Sequence, residues 1–314
     1  MRPPNLGESS EGSPEEASKK TSKDSTTRLA VWIRSRGAWT RVFIFLGLLA
    51  IAWLPIAVWG YFFNPSDTKE IVALASLYIL FLVALPQWGK RIHRWPKPFA
   101  HCGLRFTACA ARELCLALII GALGVFALFA LSTLLGWAAP TPASPRLMRF
   151  VFEGLLMALA VGFAEEMLFR GWLLAELEKD YTARAALLMN ALFFAVVHFI
   201  KPLDAIISTS PQFLGLAMLG AALVWARRSR SSGPLGESDL SEPSLGYPIG
   251  LHAGLIWGYY IVNVGGLSEP TQQVPAWITG INENPLAGLL GLVLLGAIAS
   301  QFARTARSKA NLQS

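Results

Sequence analysis

Eight apolar runs alternate with polar stretches along the chain, near residues 42–63, 69–87, 113–138, 149–177, 184–200, 211–226, 248–264 and 285–303. Each approaches or exceeds the roughly 20 residues that a helix needs to cross the hydrocarbon core of a bilayer, the fifth to seventh being the shortest. Continuous stretches such as Val42 to Leu54 lack the in-and-out alternation of a barrel strand. The pattern predicts an all-α fold, a polytopic transmembrane helical bundle of about eight membrane-spanning helices. Residues 1–41 read as a disordered basic N-terminal tail and juxtamembrane segment, 42–303 as the transmembrane domain, and 304–314 as a cytosolic C-terminal tail. The Ser-, Gly- and Pro-rich stretch from Arg230 to Pro243 reads as a flexible loop.

Composition removes the soluble alternatives. Hydrophobic residues make up 54% of the chain and charged residues 15%, against about 25% in soluble domains, and the mean hydropathy is +0.46. Three cysteines, Cys102, Cys109 and Cys115, do not make a disulfide scaffold or a metal spacing, and are expected as reduced thiols near the cytosolic face. The net charge of +7 is not that of a nucleic-acid binder, because the basic residues fall between apolar runs. They instead alternate from loop to loop. Arg34, Arg36 and Arg41 precede the first run, Lys90, Arg91, Arg94, Lys97, Arg105 and Arg112 follow the second, Arg227 and Arg228 follow the sixth, and Arg304 and Arg307 follow the eighth. No Lys or Arg occurs in 265–284. By the positive-inside rule both termini are cytosolic in a plasma (inner) membrane, with the lipid bilayer as a partner. His93 and His101, in the basic loop, are expected to be solvated.

The chemistry lies where polar residues interrupt apolar helices. In the fourth run Glu165, Glu166 and Arg170 stand in an otherwise apolar segment. Charges there cost roughly 2.5–3.5 kcal/mol each to insert at the helix centre, which makes a functional role the default; an interfacial Glu–Arg cluster is the structural alternative. Glu166 and Arg170, four apart, share a helix face, and Glu165 points about 100° away. In the fifth run Phe194 and His198 share a face one turn apart. The connector near residue 181 is equally distant from Glu165 and His198, so an antiparallel helix pair would bring both to one depth, where they could share a water. In the seventh run His252 stands among Gly250, Ala253 and Gly254, small residues that allow close helix approach.

In this order the three segments resemble the CAAX protease and bacteriocin-processing family of intramembrane proteases, also called CPBP or abortive-infection proteins, whose pattern is EExxxR, FxxxH and HxxxN or HxxxD on separate helices. The resemblance covers about 149–303. It implies an endopeptidase that hydrolyses a peptide bond of a membrane-associated protein or peptide with a glutamate-activated water. Carried over, Glu165 is the base, His198 holds and polarises the water, and His252 stabilises the oxyanion, while Glu166 with Arg170 and Phe194 are supporting residues. The third motif departs from the pattern: Ile256 occupies the Asn/Asp position. That departure supports the rival reading, a catalytically silent member acting as a membrane binding or immunity protein.

The resemblance implies no metal cofactor. Glu165, His198 and His252 can also be read as a His₂Glu zinc set, though HExxH spacing is absent. A proton-relaying transporter would be expected to show two related halves, and none is seen. Helix arithmetic leaves one discrepancy. Glu165 and His198 lie some 20 Å from the connector near 181, whereas His252 is only a few residues from the loop before it.

Overall fold

The computed structural model describes residues 28–63, 69–229, 243–281 and 284–311. The expected tail over 1–27 and the loop core at 230–242 lie outside these residues. Eight helices of 15 residues or more occupy the eight apolar runs: α1 Ala38–Phe63, α2 Lys69–Trp88, α3 Ala108–Leu134, α4 Leu147–Glu166, α5 Ala183–Val197, α6 Gln212–Arg228, α7 Gly246–Asn263 and α8 Leu289–Asn311. Helix α4 continues through a π-type turn, Met167–Leu173, into a last helical turn, Leu174–Glu178. The described residues are all-α apart from two three-residue strands, β1 Ala138–Pro140 and β2 Ser268–Pro270, which pair antiparallel.

The expectation of eight spans is not confirmed by length and composition. Among the described residues five helices are long and apolar enough to cross a membrane, or six if Leu203–Thr209 and α6, bent 75° apart, count as one broken span. Helix α5 has only 15 residues. Helix α7 fails for a different reason. Twelve of its 18 residues are buried, so it faces protein rather than lipid, and glycines, tyrosines and a histidine replace the aliphatic residues that lipid contact demands. By contrast α1 to α4 expose Ile51, Ile71, Leu123 and Leu156 as bilayer-facing apolar surface. The structure is that of an integral membrane protein.

Helix α7 is central because its glycines let neighbours touch it backbone to backbone. A Cβ at Gly250 or Gly254 would fall on the carbonyls of Leu114 and Leu118 in α3. On another side a Cβ at Gly162 of α4 would lie 3.1 Å from the Ile249 carbonyl. Such small-residue seams are how membrane helices gain van der Waals contact without a hydrophobic driving force.

Chain direction alternates so that α1, α3 and α7 start, and α2, α6 and α8 end, on one face. Arg34 at the approach to α1 donates to the Ile92 and Arg91 carbonyls after α2, Leu245 N–H donates to Gly103 O at 2.9 Å, and Ser229 Oγ donates to Phe302 O at 2.7 Å. The β1–β2 pair marks the opposite face. Helix α8 runs to Asn311, so much of the expected tail at 304–314 is helical.

Two basic-face residues depart from expectation. Rather than being solvated, His93 is 1% exposed, its Nε2 at 2.5 Å from Glu176 Oε1; His101 is exposed and stacks on Trp95. Arg41, read as a juxtamembrane charge, is buried and donates to Glu176 Oε2 at 2.9 Å, and Trp88 Nε1 donates to Oε1 at 2.8 Å. The last turn after α4 is thereby clasped by α1 and by the end of α2. The buried carboxylate recruits these donors because an unpaired one would cost several kcal/mol.

Candidate active site

Glu166 and Arg170 are fully buried and form the ion pair that their spacing predicts, Arg170 Nη1 donating to Glu166 Oε1 at 2.9 Å. Full burial removes the interfacial-cluster alternative. The guanidinium also donates from Nη2 to Gly220 O in α6 at 3.2 Å and lies 4.3 Å from the Phe194 ring centroid. Glu166 Oε1 receives a second partner, His252 Nδ1, at 2.8 Å. One carboxylate thus ties α4 to α7 directly and to α5 and α6 through Arg170.

Glu165 points the other way. Its Oε2 is 3.7 Å from His198 Nε2 and 3.9 Å from His252 Nε2. Both separations exceed a good hydrogen bond. Glu165 Oε2 is itself buried and, among the described residues, has no hydrogen-bond partner. A buried acceptor between two imidazole nitrogens, each just beyond direct reach, is where a water or a polar substrate atom is accommodated. Side-chain exposure is 29% for Glu165 and 32% for His198 against 7% for His252, so the opening lies on the Glu165–His198 side.

The backbone fixes the imidazole protons. His198 caps the C-terminus of α5, and its Nδ1 is 2.7 Å from Phe194 O. A carbonyl only accepts, so Nδ1 carries the proton and a neutral His198 turns its Nε2 lone pair toward Glu165. His252 Nδ1 likewise donates to the Glu166 carboxylate. Phe194 is fully buried, with ring centroids 4.5 Å from His198 and 6.1 Å from His252, so it spaces both imidazoles as well as lying beneath Arg170.

The depth discrepancy resolves in favour of a long α4. Gly171, in the π-type turn, meets Cys102, next to the Gly103 that bonds Leu245 at the start of α7. Residues 171 and 246 therefore lie near one level, each six residues from Glu165 and His252, or about 9 Å of helix. The rest of the α4 extension projects past the start of α7.

Among the sequence candidates, Glu165, Glu166, Arg170, Phe194, His198 and His252 converge. Ile256 is half-buried and adds no polar atom. Sequence reasoning overlooked Asn190, which is buried and donates from Nδ2 to Phe169 O at 2.8 Å, occupying a carbonyl within the π-type turn. Its signal is a lone amide in the apolar fifth run, close to the Phe194 face. Among the described residues no group of three His, Cys, Asp or Glu side chains is arranged to hold a metal ion.

Two glutamates and two histidines from three helices of a membrane-type bundle thus face one another. Residues 147–268 match the family described as Rce1-like, type II CAAX prenyl endopeptidase Rce1-like, and the chain carries a domain of that family there. The matched stretch includes α4 to α7 and every converging side chain, but neither α1 to α3 nor α8. No curated protein and no solved structure gives a match.

Proposed function

We propose that the protein is an intramembrane endopeptidase that cleaves a membrane-associated protein or peptide by water attack, with Glu165 as general base. The observation that carries this reading is the buried, unpartnered Glu165 Oε2 facing His198 Nε2 and His252 Nε2 at 3.7 and 3.9 Å. A water there donates one proton to Glu165 and the other to the His198 Nε2 lone pair, which leaves an oxygen lone pair for the scissile carbonyl. As the water oxygen bonds to the carbonyl carbon, Glu165 takes the proton and the carbonyl electrons move onto oxygen. His252 donates to that oxyanion from Nε2. Because its Nδ1–H is committed to Glu166, it does so as imidazolium. Before the proton moves, Glu165⁻, Glu166⁻, Arg170⁺ and His252⁺ sum to zero, and after it the oxyanion carries the charge that Glu165 has lost, so the balance that a low-dielectric interior favours is kept. Collapse of the intermediate breaks the C–N bond as Glu165 passes its proton to the departing amine.

Glu165→Gln keeps the size of the side chain but abolishes proton acceptance, so cleavage of a candidate membrane peptide should fall to background with unchanged detergent stability. Glu166→Gln should instead lower stability and expression, because Arg170 loses its ionic partner in a buried site. Cleavage should persist in a strong chelator, as a water activated by carboxylate alone requires. Full activity in Glu165→Gln would overturn the mechanism. Ile256 favours a second reading, a silent relative that binds peptides without cleaving them; wild-type binding with no cleavage across a broad peptide set is its signature. The orientation proposed with either reading puts the basic face, and with it both termini, in the cytosol.

A further inference from the structure

The buried face of α5 consists of Ala186, Leu187, Ala191, Phe194 and Ala195, with Asn190 as its one polar member. Asn190 is fully buried, and its hydrogen bonding is lopsided. Nδ2 donates to Phe169 O at 2.8 Å, whereas Oδ1 has no hydrogen-bond partner among the described residues. A buried acceptor without a donor lowers stability. Nor does the Phe169 carbonyl need the amide, because it already accepts from Leu174 N–H in the five-residue step of the π-type turn. An apolar side chain at 190 would leave neither group unpaired, so stability does not account for an amide there.

What the amide does is join two elements at a defined height. A hydrogen bond is directional, so this one fixes which turn of α5 stands beside the π-type turn. Asn190, Phe194 and His198 follow at four-residue intervals on one face of α5, His198 about 12 Å further along than Asn190. That face meets the fourth helix and its extension at three successive levels. Asn190 binds Phe169 O, the Phe194 ring lies 5.1 Å from the Phe169 ring and 4.3 Å from the Arg170 guanidinium, and His198 Nε2 stands 3.7 Å from Glu165 Oε2. Of the three, the first alone is a direct hydrogen bond. A slip of α5 along its axis would change the Glu165–His198 gap that a single water has to bridge. We infer that Asn190 is a positioning residue of the glutamate–histidine cluster, setting the height at which α5 presents His198 to Glu165. Its effect on rate rests on the peptidase reading proposed above; its effect on the placement of α5 does not.

Asn190→Leu in the detergent-solubilised full chain tests this, since it removes the hydrogen bond and the unpaired acceptor together. With a membrane peptide that the wild type cleaves, kcat per folded molecule should fall about 10- to 100-fold, the usual consequence of a small misplacement of reacting groups, while KM stays within twofold. The melting temperature should hold or rise. Hydrogen exchange followed by mass spectrometry should quicken at 167–175 and 190–198 and stay unchanged along α3 and α7. If Asn190→Leu does not fold, Asn190→Ala should give the same kcat and exchange pattern. An unchanged kcat per folded molecule, with or without a lower melting temperature, would make Asn190 purely structural, and a raised KM at constant kcat would make it a substrate contact; either result overturns the inference. A wild type that cleaves no peptide would sink the peptidase reading and leave exchange to decide: quickening confined to those two segments upholds the placement of α5 by Asn190, and exchange that is unaltered, or faster throughout the bundle, refutes it.

Discussion

Ile256 is the residue at which the candidate site falls short of its family pattern. An amide there would lie one turn beyond His252, as its i+4 neighbour, and could add a second donor toward the oxyanion. Ile256→Asn should therefore raise kcat by about 10²-fold, the usual worth of one such donor. Single-turnover cleavage checks this, and an unchanged rate would mean that His252 alone suffices. Cys102 gives a second test. Burial pushes its thiol up to about 12, leaving almost no thiolate near neutrality, whereas Cys109 is exposed on the basic face. An impermeant maleimide should modify Cys109 in inside-out vesicles but not in right-side-out ones, and should spare Cys102 in both until the protein is unfolded. Labelling of Cys109 from the outside would reverse the proposed orientation. Five of the six converging side chains were legible in the sequence because ionisable groups in apolar helices have few reasons to be there, and Phe194 through its FxxxH spacing to His198. Asn190 and the buried state of His93 were not legible. Both depend on partners distant in sequence, Phe169 and Glu176, which only the fold supplies.

At the scale of elements, hydrophobic runs located the eight long helices, although α8 continues to Asn311, well past its run at 285–303, but did not distinguish helices that face lipid from those buried in the protein. The run at 248–264 illustrates this, since α7 owes its length to protein contacts and its glycines to α3. That dependence can be measured. Gly254→Ala, with its new Cβ on the Leu118 carbonyl, should destabilise the detergent-solubilised protein by about 1–3 kcal/mol, the usual cost of overpacking. A thermal shift assay reads the loss, and Gly47→Ala in α1, where a Cβ meets nothing within 4 Å, is the control expected to be neutral. The π-type turn was equally unreadable. It has no residue signature, yet its Phe169 carbonyl accepts from both Leu174 N–H and Asn190 Nδ2 within the segment that carries Arg170.

Across the whole molecule, the family match at 147–268 covers the converging side chains but not everything that holds them. Arg41, Trp88 and His93 reach into it at Glu176, and α3 supplies the surface on which the α7 glycines lie. Glu176→Gln, which leaves Arg41 with only Asp180, 3.1 Å from its Nη2, as counter-charge, should cost about 1–3 kcal/mol and loosen α1 and α2 from the remainder. Limited proteolysis at the exposed Arg94, between α2 and α3, followed by size-exclusion chromatography would reveal whether they separate, and an unaltered elution and melting point would show the clasp to be dispensable. The clasp also bears on assembly during synthesis. Helices α1 to α3 leave the ribosome before α4 exists, so Arg41 waits without its partner until Glu176 is made. The early part of the chain thus serves as a template on which the later part is received, and separately expressed halves, 1–141 and 142–314, should restore a stable protein only when made together.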